Sequence, residues 1–237
     1  MLRKPEISAG LMGRLGLYAD FTYLPFNEYF HSVYSHVNAE PPPPGSHPVV
    51  PIHEISTVAV SASEVKSIFE NLDPSKSPGP DGITARLLKE LSFEVSDSVT
   101  SIFNKSLTSG VFPEKWKDSN LTPVFKSGQK DVVTNYRGIS LLSILSKGLE
   151  RCVHTHIYSH VEDLLHPEQH AFRKHKSCVT QLVQYIHSLA KTLDSGGQTD
   201  VIYLDMAKAF DRVPHVKLMH KLEMLGFRNP LLASSHK

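Results

Sequence analysis

The chain has 237 residues, enough for one large domain or two small ones. Apolar residues make up 40% and charged residues 21%, the balance of a soluble globular protein with a core. A formal net charge of +1 argues against strong nucleic-acid binding by bulk charge and leaves only a locally basic groove for that purpose.

Two cysteines, Cys152 and Cys178, make no disulfide framework and no zinc-type pair, and they read as buried or inert thiols in a reducing compartment. The first residues carry no apolar core of signal-peptide length, and no run approaches the ~20 apolar residues of a membrane span. The expectation is an intracellular protein that does not enter a membrane.

In chain order, Phe26 to Tyr34 carries aromatics at helical spacing and predicts a short helix. Residues 38–62 read as linker, because Pro41 to Pro44, Pro48 and Pro51 lack N–H groups and fix φ. Ser63 is expected to cap a helix with Glu64 in its first turn, and Val65, Ile68, Phe69 and Leu72 form its apolar stripe. Residues 73–82 must be a loop. Thr84 to Leu91 and Val95 to Leu107 predict helices, stopped by Gly110 to Pro113. Leu121 to Phe125 is strand-like, residues 126–130 form a polar turn, and Ile139 to Val153 is a helix or a strand leading into one. Thr180 to Leu193 is an amphipathic helix and residues 194–197 a turn. Val201 to Leu204 predicts a buried strand, with Asp205 at its C-terminal end, where ligand sites commonly lie. Val216 to Leu225 closes the series as a helix, with Gly226 as its cap. No internal repeat is present. His154, His156 and His160 invite a metal reading, but 154 leaves the face shared by 156 and 160 and no Cys is near.

Six blocks in one order resemble the reverse transcriptases of non-LTR (LINE-type) retrotransposons. They are Ser77-Pro78-Gly79-Pro80-Asp81-Gly82-Ile83 with Leu87-Leu88-Lys89; Phe103-Asn104 through Gly110 and Pro113 to Trp116-Lys117; Pro123-Val124-Phe125-Lys126-Ser127-Gly128; Asn135-Tyr136-Arg137-Gly138-Ile139-Ser140-Leu141-Leu142; Glu168-Gln169-His170-Ala171-Phe172-Arg173; and Tyr203-Leu204-Asp205-Met206-Ala207-Lys208-Ala209-Phe210-Asp211. The resemblance runs from about Ala62 to Leu225. Gly138 stands where the family usually has proline, and Ala171 where it usually has glycine. The family's second carboxylate block, an aromatic-Ala-Asp-Asp hairpin, does not follow. Tyr18-Ala19-Asp20-Phe21 echoes it in the wrong place and lacks its second aspartate.

The resemblance implies an α+β fold: a helical N-terminal extension plus the partial fingers and palm of a right-hand polymerase. It divides the chain into a weakly ordered lead-in (1–61), a helical extension (62–115) and an incomplete reverse transcriptase domain (116–237). Its chemistry is phosphoryl transfer from a deoxynucleoside triphosphate to a DNA primer on an RNA template, with Mg2+ held by carboxylate oxygens. Asp205 is implied as the first catalytic carboxylate, with the Met206 carbonyl as a second metal ligand. Taken alone, Asp205 reads first as a cap for the helix or turn that follows the strand. Phe210 is implied against the incoming sugar, or packs in a core. Lys126 and Arg137 are implied to grip the triphosphate. Arg173 and Lys174 are implied on the template backbone. Gly79 and Gly82 would let a loop approach RNA, or simply make a turn. Asp211 looks structural, before Pro214. With a single palm carboxylate, the expectation is a polymerase fragment, the alternative a catalytically inactive remnant with at most RNA binding. An unpaired palm strand would leave apolar surface open and solubility poor.

Overall fold

The computed structural model describes residues 26, 28–30, 32, 53–206, 208–210 and 212–234. Tyr18 to Phe21, the Pro41–Pro44 run and Asp211 therefore lie outside the described residues. The chain separates into two compact units, one made of residues 1–157 with 210–237 and the other of residues 158–209.

The first unit opens with three helices. α1 (Ala62–Glu70) begins two residues earlier than a Ser63 cap would place it, because Ser61 is the cap. The Ser61 hydroxyl accepts the Glu64 N–H at 3.3 Å, and Glu64 Oε2 accepts the Ser61 N–H at 2.8 Å. This reciprocal box satisfies two helix-end donors, and Ser-x-x-Glu is its sequence signature. Val65, Phe69 and Leu72 are buried, as the apolar stripe requires, while Ile68 is half-buried. α2 (Ala85–Glu90) is capped by Thr84, and α3 (Ser92–Ser109) ends at Gly110, whose φ of 65° only glycine adopts without strain. α1 packs on α3, with Phe69 and Phe103 fully buried and Trp116 set edge-on to Phe103 at 5.7 Å.

The last residues of the segment read as linker are packed. Asn104 on α3 accepts the Val60 N–H and donates to the Val60 carbonyl, both at 2.8 Å, so its amide replaces a strand partner. Ile55 bridges to Phe227 in parallel, with Ile55 N–H donating to the Gly226 carbonyl at 2.9 Å. Gly226 does end the helix before it, α6 (His215–Met224). Its φ is 91°, and the Phe227 N–H reaches back to the Leu222 carbonyl while the Phe227 ring buries itself. The short α7 (Leu231–Ser234) follows.

Among the described residues the sheet is one antiparallel hairpin, β1 (Ser119–Phe125) with β2 (Tyr136–Leu142), in register from Ser119↔Leu142 to Phe125↔Tyr136. Leu121 on β1 packs with Phe26 and Phe30, which with Glu28, Tyr29 and Ser32 are helical. The segment Ile139 to Val153 resolves into the end of β2 and then α4 (Ile144–Val161). Gly138 uses no unusual φ. Its hydrogen-only surface admits Leu121 and Phe30, whose atoms lie 3.0 and 3.3 Å from where a Cβ would stand. The glycine is therefore used for packing rather than for bending.

The second unit is loop-rich around one helix, α5 (Cys178–Asp194), boxed by Ser177 and Thr180. The predicted buried strand at Val201 to Leu204 does not form. Residues 201–206 are irregular and exposed, Leu204 at 88%. A strand is stable only as part of a ladder with a buried face, and no partner strand for it exists among the described residues. Of the two cysteines, Cys152 is buried and Cys178 is exposed. The observed architecture is a mixed α+β fold of helices and a small sheet, and no described helix is long and apolar enough to cross a membrane.

Candidate nucleotide and nucleic-acid site

The hairpin positions two of the implied nucleotide ligands. Arg137 lies on β2 opposite Val124, and both are exposed. Lys126 follows β1, and its N–H donates to the Asn135 carbonyl at 2.8 Å, which extends the ladder by one pair. Because side chains alternate along a strand, Lys126 shares the face of Val124 and therefore of Arg137. Two exposed cations thus stand on one face at one end of the hairpin. The connecting loop is held by its own bonds: the Asn135 amide donates to the Gln129 carbonyl and the Tyr136 hydroxyl to the Lys130 carbonyl, each at 2.8 Å. A short 3-10 turn, Val133–Asn135, completes it.

The Gly-Pro-Asp-Gly loop does something the sequence did not disclose. A Cβ on Gly79 would lie 2.5 Å from the Ser143 nitrogen and 2.6 Å from the Leu142 carbonyl carbon. The close approach that glycine permits here is therefore to the chain's own backbone, at the junction of β2 and α4. Two residues on, Asp81 Oδ2 accepts the hydroxyl of the fully buried Ser143 at 2.6 Å, while Asp81 Oδ1 accepts the Ile83 N–H at 3.2 Å. Gly82 sits at φ 71° with open space around it, so it serves the turn. The separation of 62 residues hid this contact from any local pattern.

Arg173 and Lys174 lie in the second unit. Arg173 donates to the carbonyls of His166 and Glu162 at 3.0 and 3.4 Å, so its guanidinium organises the loop in which it sits. Lys174 is exposed, with its ammonium 5.0 Å from the Tyr158 ring centre. His170, in the same block, is buried between Thr180 Oγ1 at 3.0 Å and Gln184 Oε1 at 3.1 Å. Ala171 is not among the residues with positive φ, whereas its neighbour Phe172 has φ 59°.

Asp205 and Met206 are exposed in the irregular stretch 201–206 of the second unit, and Phe210 is exposed in a turn of the first. Magnesium takes octahedral oxygen coordination, usually through carboxylates and waters. Among the described residues no three His, Cys, Asp or Glu side chains lie together in a way that could hold a metal ion, so Asp205 and the Met206 carbonyl do not complete a magnesium site. His156 instead bonds Glu64 Oε1 at 3.1 Å, joining α4 to α1. Hydrogen bonds from the Ser61 N–H and hydroxyl, helped by His156, hold the Glu64 carboxyl below its ordinary value.

Residues 125–236 match the family described as reverse transcriptase (RNA-dependent DNA polymerase). Three relatives from Drosophila melanogaster agree with that match. The RNA-directed DNA polymerase from mobile element jockey is 29% identical over 170 residues, which is 70% of this chain and 19% of that protein. The probable RNA-directed DNA polymerase from transposon BS is 30% identical, over 70% of this chain and 19% of its own length. That from transposon X-element is 32% identical, over 68% and 18%. The chain thus spans about a fifth of the length of the curated relatives it matches. Family match, relatives and the order of the six blocks lead to one assignment: this chain belongs to the reverse transcriptases of non-LTR retrotransposons and carries part of that domain.

Proposed function

We propose that the chain forms the fingers and the first palm block of an RNA-directed DNA polymerase, with residues 62–115 as a helical extension leading into it. The observation that carries this reading is the pair Lys126 and Arg137, exposed on one face of the hairpin within two blocks that resemble the family. Such a pair suits a triphosphate: arginine binds two phosphate oxygens in a planar fork, and lysine adds a point charge. Phe210 would then select deoxyribose by crowding a 2′ hydroxyl, and Arg173 and Lys174 would lie along the template. Asp205 would supply one carboxylate to the divalent-metal chemistry of the family. The described residues do not by themselves assemble that metal site.

The test is steady-state extension of a DNA primer on an RNA template, using the longest protein that contains this chain. Arg137→Gln should raise KM for the deoxynucleoside triphosphate about 10- to 100-fold, the value of a lost charge-assisted contact, with primer-template affinity unchanged. An unchanged KM contradicts the role given to Arg137. A second reading is favoured by the incomplete metal ligand set: the 237-residue chain alone binds RNA without extending a primer.

A further inference from the structure

A second basic site lies away from the hairpin's cations. Between α1, the loop that follows it and α4 there is a cleft of about 480 Å³. Lys76 comes from the loop, and Lys147 and Arg151 stand four residues apart on α4, so they share a helix face. Leu72 and Ile144, both buried, contribute to an apolar floor. The one carboxylate in the lining is Asp73, and it is already engaged: it accepts the Ser75 N–H at 3.0 Å and hydroxyl at 2.7 Å, and pairs with Lys76 at 3.5 Å in solvent. Neither Lys147 nor Arg151 forms an ion pair with a carboxylate among the described residues. In a chain of net charge +1, with Lys76 paired to Asp73, Lys147 and Arg151 leave the lining a positive excess, offset in part by the Glu150 carboxyl near Lys147.

We propose that this cleft binds one nucleotide unit of a single-stranded RNA, with Lys76, Lys147 and Arg151 on the phosphodiester backbone and the base over the Leu72–Ile144 floor. The inference rests on the polymerase reading only for the choice of RNA as the strand. An anion with no apolar part would leave the floor unused, and an apolar ligand would leave Lys147 and Arg151 unanswered. A nucleotide has both parts. A free nucleotide shares that chemistry, but one anchored only by solvent-facing lysine and arginine gains little, because such contacts are individually weak in water and a strand brings neighbouring phosphates to the same surface.

The experiment is fluorescence anisotropy of a labelled single-stranded RNA of about 12 nucleotides with the 237-residue chain, in EDTA and without primer. The double variant Lys147→Gln/Arg151→Gln should weaken binding at least about tenfold. It should also reduce the slope of log affinity against log salt by about 1.4, two cations at about 0.7 each. Lys76→Gln, on a different element, should reproduce about half the loss of slope, and Arg151→Lys should retain most of the affinity. Lys105→Gln/Lys115→Gln, exposed cations elsewhere, should leave the slope as it was. Equal losses in the control pair, or unchanged binding in both cleft variants, overturn the site. Displacement of the RNA by adenosine monophosphate at comparable concentration overturns the strand assignment. Primer extension by the longer protein is scored separately. A polymerase that extends while its cleft variants bind like the parent keeps the polymerase reading and loses this one. A cleft that behaves as stated in a protein that never extends does the reverse.

Discussion

Helices α1 and α5 carry the same kind of sequence signal and meet different ends. Each has an apolar stripe at spacings of three and four and a boxed N-terminus. α1 buries Val65 and Phe69 completely against α3. α5 buries none of its residues, and Val179, Leu182, Val183, Ile186 and Leu193 are all more than half exposed. Amphipathicity states which face of a helix wants a partner; it does not supply one. The contact with α3 turns that preference into stability for α1, at roughly 2–3 kcal/mol for each large side chain enclosed.

The largest test of this contrast is truncation in each helix. Phe69→Ala should cost about 3–5 kcal/mol, read by denaturant unfolding, because the cavity opens in a close-packed core. Ile186→Ala should change stability by no more than about 0.5 kcal/mol, as for other surface positions. Equal costs would mean that α5 is buried in solution.

The cysteines sharpen the same comparison by chemistry. Burial, aided by the nearby Glu64 charge, pushes the Cys152 thiol up to about 11, so little thiolate forms at neutral pH. Cys178, at the start of α5, is exposed. Maleimide at neutral pH should label Cys178 in the folded chain and Cys152 only after denaturant is added, with the adducts located by mass spectrometry. Early labelling of Cys152 would show that the α1–α4 region opens as readily as α5.

The smallest effect is electrostatic. The Glu64 pKa lies below its ordinary 4.5 in the folded chain, chiefly through the Ser61 N–H. Its contribution to stability is therefore complete above 4.5 and is lost as pH falls through the lowered value. Glu64→Gln should flatten the acid limb of the stability curve while leaving any change at neutral pH near 1 kcal/mol. An unchanged acid limb would show that the box contributes nothing in solution.

Local rules reached as far as local interactions did. Gly110 and Gly226 were legible as helix ends because a left-handed residue is dictated by its immediate neighbours. The α1 stripe was legible because its period matches the helix. Ser61 was missed in favour of Ser63, though the Ser-x-x-Glu spacing carried the signal. The Val201 to Leu204 run shows the limit of composition: β-branched and aromatic residues fit a pleated surface, but pairing decides whether there is one. The Asp81–Ser143 bond and the Asn104 clamp on Val60 join residues 62 and 44 apart, beyond any periodicity. Of the site residues, Lys126 and Arg137 were linked in the sequence only by the family resemblance, the shared face coming from the hairpin register, and no local rule could bring the basic residues 76, 147 and 151 to one cleft.

The most direct test of the polymerase assignment is primer extension by the longest protein containing this chain, comparing the parent with Asp205→Asn on the same RNA template. The account predicts extension by the parent and none by the variant, with RNA binding retained in both. Extension that survives in Asp205→Asn at the parental rate would contradict the role given to that carboxylate and the polymerase reading built on it.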